Sequence, residues 1–397
     1  MADIRKQNFR TVKTDVAELE QKIHKHRKKI VIRIAVLSVL VLVLTASAGI
    51  YYNLKEYTGY EVRLEIERSD SEATKYESYA GNILRYNNDG AFYLDASGNL
   101  IWNQAFEMQE PAVDICGNYA AVADLRGTQI YIMDTAGTQG EVSTVKPIQA
   151  VCVARQGTIA VLTQENGTSY LELYNKSGEN LASGQIHITN SGYPLDIALS
   201  GDATKLAVSV VDISKGKAQT TVSFYNFASV GQNEIDNMVG TYSYPDTIIP
   251  QINFISDNGM LAFGDNRIIL FEGAQKPEES FVQEIKEKVK SVFFNTEYYG
   301  LVYDAPKSQD SCKAEIYDMK GRLRLEQNFK MSYRDIEFLE NHEICIRNEN
   351  ECQIYTLRGV KKFTYEFDDT LYKVFSGGSG RRYTFILDGK MEKVRLK

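Results

Sequence analysis

The sequence predicts an all-β fold: a β-propeller of eight blades (seven if one short copy is spurious) behind a cytoplasmic helix and one transmembrane helix. Three observations predict it. First, a strand ending in an aromatic residue or Asp runs into a Gly-bearing turn and then a further strand. This unit recurs at Ala91-Phe92-Tyr93-Leu94-Asp95-Ala96-Ser97-Gly98, Ile130-Tyr131-Ile132-Met133-Asp134-Thr135-Ala136-Gly137, Leu171-Glu172-Leu173-Tyr174-Asn175-Lys176-Ser177-Gly178 and Ala314-Glu315-Ile316-Tyr317-Asp318-Met319-Lys320-Gly321. Looser copies end near Tyr225, Phe271, Tyr355 and Asp388. The spacing, roughly 30–50 residues, is that of propeller blades. Second, short apolar runs such as 120–123, 159–162 and 206–211 read as strands buried on both faces. Third, the last unit, from Leu371 to Lys397, has room for only about three strands. The alternating segment 62–67 (Val62, Leu64 and Ile66 against Arg63, Glu65 and Glu67) is a strand that could complete it from the other terminus.

The domain plan is a basic amphipathic helix over 1–29, a transmembrane signal anchor over 30–52 and an extracytoplasmic propeller over 53–397. The 19 residues 34–52 carry no charge, enough for a helix to cross a hydrocarbon core of roughly 30 Å. The first 33 residues hold ten Lys/Arg against four Asp/Glu. This asymmetry puts the N-terminus in the cytoplasm. The remaining chain holds 35 Lys/Arg against 48 Asp/Glu, a net of −13, which argues against nucleic acid as a partner. Ala46-Ser47-Ala48 also has the shape of a signal-peptidase site, so cleavage after Ala48 is the competing reading. Ahead of the span, Phe9, Val12, Val16, Leu19 and Ile23 fall at 3-4-3-4 spacing and form one helical stripe. It suits either a homodimeric coiled coil or a helix lying on anionic lipid.

Candidate chemistry is sparse. No Gly-x-Ser-x-Gly, P-loop or His-Glu-x-x-His is present. His187 and His342 are the two histidines beyond the span and fall in different blades. The five cysteines (116, 152, 312, 345, 352) lack a Cys-x-x-Cys pair, and Cys345 and Cys352 could face each other across a hairpin, bridged or as thiols. No cofactor, metal or catalytic residue is expected. Asp114, Asp196 and Asp335 each sit early in an inner strand, near the expected channel mouth. They would either converge on a cation or polar ligand, or each accept backbone N–H groups from a neighbouring blade and lock the ring. Tyr242, Tyr244, Tyr298 and Tyr299 read as aromatics in connections, where exposed rings would serve recognition at one rim. Gly377-Gly378-Ser379-Gly380 links two strands and reads as a flexible turn in preference to an anion cradle.

Two segments carry a resemblance. Leu199-Ser200-Gly201-Asp202-Ala203-Thr204-Lys205-Leu206-Ala207-Val208 resembles the Ser-x-Asp-Gly-Lys-x-Leu-Ala-Val signature of many WD-like propellers, with a second copy at Ile255–Phe263. Asp95-Ala96-Ser97-Gly98-Asn99-Leu100-Ile101-Trp102 looks like a quinoprotein-type repeat, although one Trp cannot supply that family's ring of docking tryptophans. The whole plan is similar to a family of single-pass membrane-anchored propeller proteins of Gram-positive anaerobic bacteria. That resemblance implies fold and cell-membrane location and brings no chemistry. The expectation is therefore a non-enzymatic interaction or scaffolding module at the cell envelope. Its partner would be an envelope protein or a wall glycan, and a propeller enzyme is the weaker alternative.

Overall fold

Asp95 shows why the recurring turn has its sequence. Its Oδ1 accepts the backbone N–H groups of Ser97 (2.7 Å) and Asn99 (2.9 Å), and Gly98 closes the turn onto the Asp95 carbonyl at 2.9 Å. Asn175 and Asp318 repeat both side-chain bonds with the residues two and four further on. The glycines that follow (Gly98, Gly178, Gly321) sit at φ 77°, 83° and 70°, left-handed values that a β-carbon disfavours. The motif is thus a local hydrogen-bonded device joining the third strand of a blade to its fourth.

The computed structural model describes residues 16–68, 74–214, 216–304, 311–378 and 380–397. The chain divides into two units, Met1–Lys55 and Glu56–Lys397. In the first, α1 (Val16–Leu54) is one helix of 39 residues, about 58 Å long at 1.5 Å per residue. Residues 16–48 contain neither Gly nor Pro, so nothing breaks the helix at the boundary expected at 29–30. Phe9 and Val12 of the stripe lie outside the described residues, while Leu19 and Ile23 are exposed on α1.

The second unit is an eight-bladed propeller: eight four-stranded antiparallel sheets, each meandering outward from its first strand. The inner strands of blades one to eight are Lys75–Tyr79, Pro111–Cys116, Ile148–Val153, Tyr193–Leu199, Gln251–Ser256, Val289–Phe294, Asp335–Phe338 and Leu371–Ser376. Blade eight draws only three strands from the C-terminal segment; its outer strand is Tyr60–Glu67, antiparallel to Lys390–Leu396. Just before it, the Tyr57 N–H donates to Lys362 O (2.8 Å) and its carbonyl accepts from Thr364, pinning the entering chain to blade seven. Glu278–Glu284 is the outer strand of blade five.

Each blade junction carries its own apolar cluster. Blades seven and eight enclose fourteen buried residues, with Phe363, Phe385 and Tyr383 at the centre. Blades eight and one enclose only four, Tyr76, Ile83, Ile386 and Met391. The ring is therefore closed by packing of very uneven depth.

Candidate functional site

Several inner strands put a polar side chain toward the neighbouring blade. In blade two the Asp114 Oδ2 accepts the Val153 N–H of blade three at 2.7 Å. In blade four the Asp196 Oδ2 accepts Ile252 N–H of blade five at 2.8 Å, and its Oδ1 accepts Ile197 N–H at 2.9 Å. Between them, the Cys152 thiol of blade three donates to Ile197 O at 3.1 Å. Burial raises the pKa of Asp114, partly offset by the N–H groups of Val153 and Ile115. Burial pushes Asp196 up to about 6 against two amide bonds that lower it, with the Asp114 charge adding to the rise. The Cys152 thiol is driven well above its ordinary value by burial, and by both carboxylates after that, so it is a poor nucleophile.

Asp335 does not join this pair. It opens the blade-seven strand and takes Arg347 of the next strand at 2.5 Å. The three carboxylates consequently do not converge: two are tied to amides of adjacent blades and the third to a guanidinium. The residue of blade seven that meets its neighbour is Glu337, two positions on. Lys373 of blade eight bonds Glu337 at 2.9 Å and Glu77 of blade one at 3.3 Å, stitching blades seven, eight and one together. Burial raises Glu337 despite Lys373. Burial alone would lower Lys373, yet Glu337 and Glu77 outweigh it and hold the ammonium charged. The sequence signal for this triad is the polar residue near the centre of three inner strands (Glu77, Glu337, Lys373), which a search for the Asp of blades two and four does not find because the residue types differ.

The four tyrosines are strand residues and not loop aromatics. Tyr242 and Tyr244 belong to the outer strand Met238–Pro245 of blade four. Tyr242 donates to Pro277 O (2.9 Å) and packs on Phe271, while the Tyr244 hydroxyl bonds Glu279. Tyr299 is fully buried in Tyr298–Asp304, stacked on Tyr317 with centroids 5.3 Å apart, and donates to Gln283 at 2.6 Å. Tyr298 lies half-buried against Phe338 and His342. Strand pairing and inter-blade burial, which the loop reading could not see, consume these rings.

Cys345 and Cys352 are free thiols whose sulfurs lie 3.7 Å apart. Among the described residues no three His, Cys, Asp or Glu side chains form a metal-holding group. Over blades three to five, Arg155 reaches Asp257 at 2.6 Å, linking the loops that follow two inner strands. On the other side of the ring a cleft of about 1050 Å³ opens between blades eight and one, its lining including Asn341 of blade seven. A second, of about 730 Å³, lies between blades three and four.

Among solved structures, the C-terminal WD40 domain of Sif2 is similar over 86% of this chain and 100% of its own, at 11% identity and a TM-score of 0.58. Sqt1 from Chaetomium thermophilum is similar over 85% and 100%, at 12% identity and a TM-score of 0.51. BamB from Moraxella catarrhalis covers the same 85% and 100% at 14% identity and a TM-score of 0.49. At such identities the likeness is one of fold. No curated protein sequence matches the chain. The profile of the family of unknown function DUF5711 matches residues 53–396, almost the whole propeller unit, and the chain belongs to that family.

Proposed function

We propose that the protein is a membrane-anchored, non-enzymatic interaction module whose propeller faces the outside of the cell membrane and binds an envelope protein through its loop faces. The observation that carries this reading is that five charged side chains of the inner strands are engaged between blades. Asp114, Asp196, Glu337, Lys373 and Glu77 are bonded between blades, so these side chains brace the ring, which favours the outer loop faces as the surface for a partner. Two further features support it. One helix, over Leu19–Ser47, is long and apolar enough to cross a membrane and is unburied. The Lys/Arg excess ahead of residue 34 favours a cytoplasmic N-terminus. The exposed Leu19 and Ile23 would pair two copies along the helix stripe. A wall glycan is the less favoured partner, because Tyr193 is the one exposed aromatic among the described residues of the propeller.

Intact cells expressing the full chain with a tag at either end test the anchoring. Added protease should remove the C-terminal tag and spare the N-terminal one; the reverse pattern overturns the topology. In-cell crosslinking should then capture the same envelope protein with wild type and with Leu19→Asp/Ile23→Asp. Capture that vanishes in the double variant would move the working surface to the helix. Co-purification of wall fragments in place of protein would favour the glycan.

A further inference from the structure

We propose that the cleft between blades eight and one is a binding site for a phosphate-bearing ligand. The proposal rests on the propeller alone and holds whether or not α1 spans a membrane. Four cations line the cleft, Arg63, Arg382, Lys393 and Arg395, against one acid, Glu340, whose carboxylate already takes the Ser78 hydroxyl. This happens in a region whose net charge is −13. Chance placement on an acidic surface does not favour such a cluster.

The cations are also badly placed for each other. Arg382 and Arg395 are direct partners across adjacent strands of blade eight. Like charges directly opposed in a sheet are destabilising. Among the described residues neither Arg382, Lys393 nor Arg395 has an ion pair or side-chain hydrogen bond. Glu61 stands beyond Arg395 on the next strand, but its carboxylate is bonded to Arg63 at 2.9 Å. Two forked guanidinium groups side by side match the oxygen geometry of phosphate.

The glycine-rich turn supplies the second, independent observation. Gly377, Gly378 and Gly380 line the same cleft. Gly377 is required by the hairpin, since its N–H donates to Arg382 O at 2.7 Å and a β-carbon would press on that carbonyl at 2.9 Å. Gly378 is not: a β-carbon there meets nothing within 4 Å, and its backbone is not left-handed. A β-carbon at Gly380 meets only the end of Lys362, at 3.7 Å. The fold leaves two glycines unexplained. A ligand that approaches the backbone, as phosphates do at glycine-rich loops, explains them.

The test uses the full chain in nanodiscs of neutral phosphatidylcholine, titrated by calorimetry with inorganic phosphate, glycerol 1-phosphate and dihexanoyl phosphatidylglycerol. Saturable binding of the soluble phosphates supports a free phosphate source, and binding of the short-chain lipid alone supports a headgroup. Arg382→Gln/Arg395→Gln should weaken binding at least tenfold, and Gly378→Leu should weaken it without lowering Tm. Lys176→Gln/Lys320→Gln, which removes the same charge from turns of other blades, should leave binding unchanged. Failure of all three probes to bind, or equal weakening by both charge variants, overturns the proposal. Neither failure touches the interaction reading, which the crosslinking experiment decides.

Discussion

Blade eight meets its two neighbours in opposite ways. Toward blade seven it buries fourteen residues, and aromatic rings interlock there: Phe385 stacks on Phe363 at 5.7 Å and meets Tyr60 edge-on at 5.2 Å. Toward blade one it buries four, and the contact is supplemented by the Lys373–Glu77 pair and by Arg68 over the Tyr76 ring at 4.5 Å. Both junctions belong to the blade that joins the two ends of the propeller, so closure alone does not explain the contrast. One side holds the ring shut through apolar burial; the other is held polar and open, with a cleft of about 1050 Å³ beside it. A seam sealed on both sides would leave no site. One anchored on a single side keeps both rigidity and access.

The largest effect should come from breaking the anchored side. Phe385 is fully buried, and Phe385→Ala should lose about 4 kcal/mol by transfer and cavity terms. Met391→Ala, at the thin junction, should lose about 2 kcal/mol, since a shallow site can collapse. Urea unfolding of the two variants checks the ordering, and equal losses would erase the contrast. Next comes Lys373→Met, which strands Glu337 and Glu77 without their shared cation. A loss of about 3 kcal/mol is expected, near the low end for a broken buried pair because Glu77 is 42% exposed. Glu337→Gln in the same chain should restore much of it, and its failure to do so would mean that the network is not what holds these three blades.

On the far side of the ring the buried carboxylates have no cation, and pH should reveal it. An acid with a folded-state pKa above its unfolded value holds its proton more tightly when folded. Asp196 therefore lowers stability progressively as pH rises from 3.8 through about 6, and the full penalty persists above that. Two units correspond to about 3 kcal/mol at most. Asp196→Asn can still accept the Ile252 N–H and lacks the titration. Its stability relative to wild type should rise by about 2 kcal/mol between pH 4 and pH 7. Parallel pH curves would show that Asp196 ionises without penalty.

What sequence could deliver follows the range of each interaction. The Asp/Asn-x-x-Gly turns are readable because their bonds span two to four residues, and they mark four of the blades; the count of eight needs the four looser strand copies as well. The carboxylate reading failed at Asp335. Which residue of a short strand meets the next blade depends on the register of the ring, and Glu337 answers to Lys373 rather than to anything near it in sequence. Tyr242, Tyr244, Tyr298 and Tyr299 read as connections because local runs of Tyr, Ser and Glu resemble loops; partners such as Phe271, Glu279 and Gln283 sit in other strands. The basic cleft was the least legible, since Arg63 and Arg395 approach it from opposite ends of the propeller sequence. The turn at Gly377 looks innocent until those ends meet.

The smallest effect is the one that tests the open side most directly. Arg382 faces Arg395 and no acid across its strand pair, whereas Arg395 has Glu61 on its other flank. Neutralising Arg382 removes only repulsion; neutralising Arg395 also removes an attraction. In phosphate-free buffer of low ionic strength, Arg382→Gln should therefore stabilise the protein by about 0.5 kcal/mol, and Arg395→Gln by less. The double variant should gain nothing beyond Arg382→Gln, because the repulsion needs both charges. At high salt the gain should vanish with screening. Added phosphate should reverse the order, stabilising wild type and leaving Arg382→Gln behind, since a ligand that binds only the folded state adds to its stability. Thermal melts across salt and phosphate concentrations separate these outcomes. An Arg382→Gln variant that loses stability in phosphate-free, low-salt buffer would mean that the guanidinium pair is already satisfied within the blade, and that the open side of the seam is structural in the same sense as the closed one.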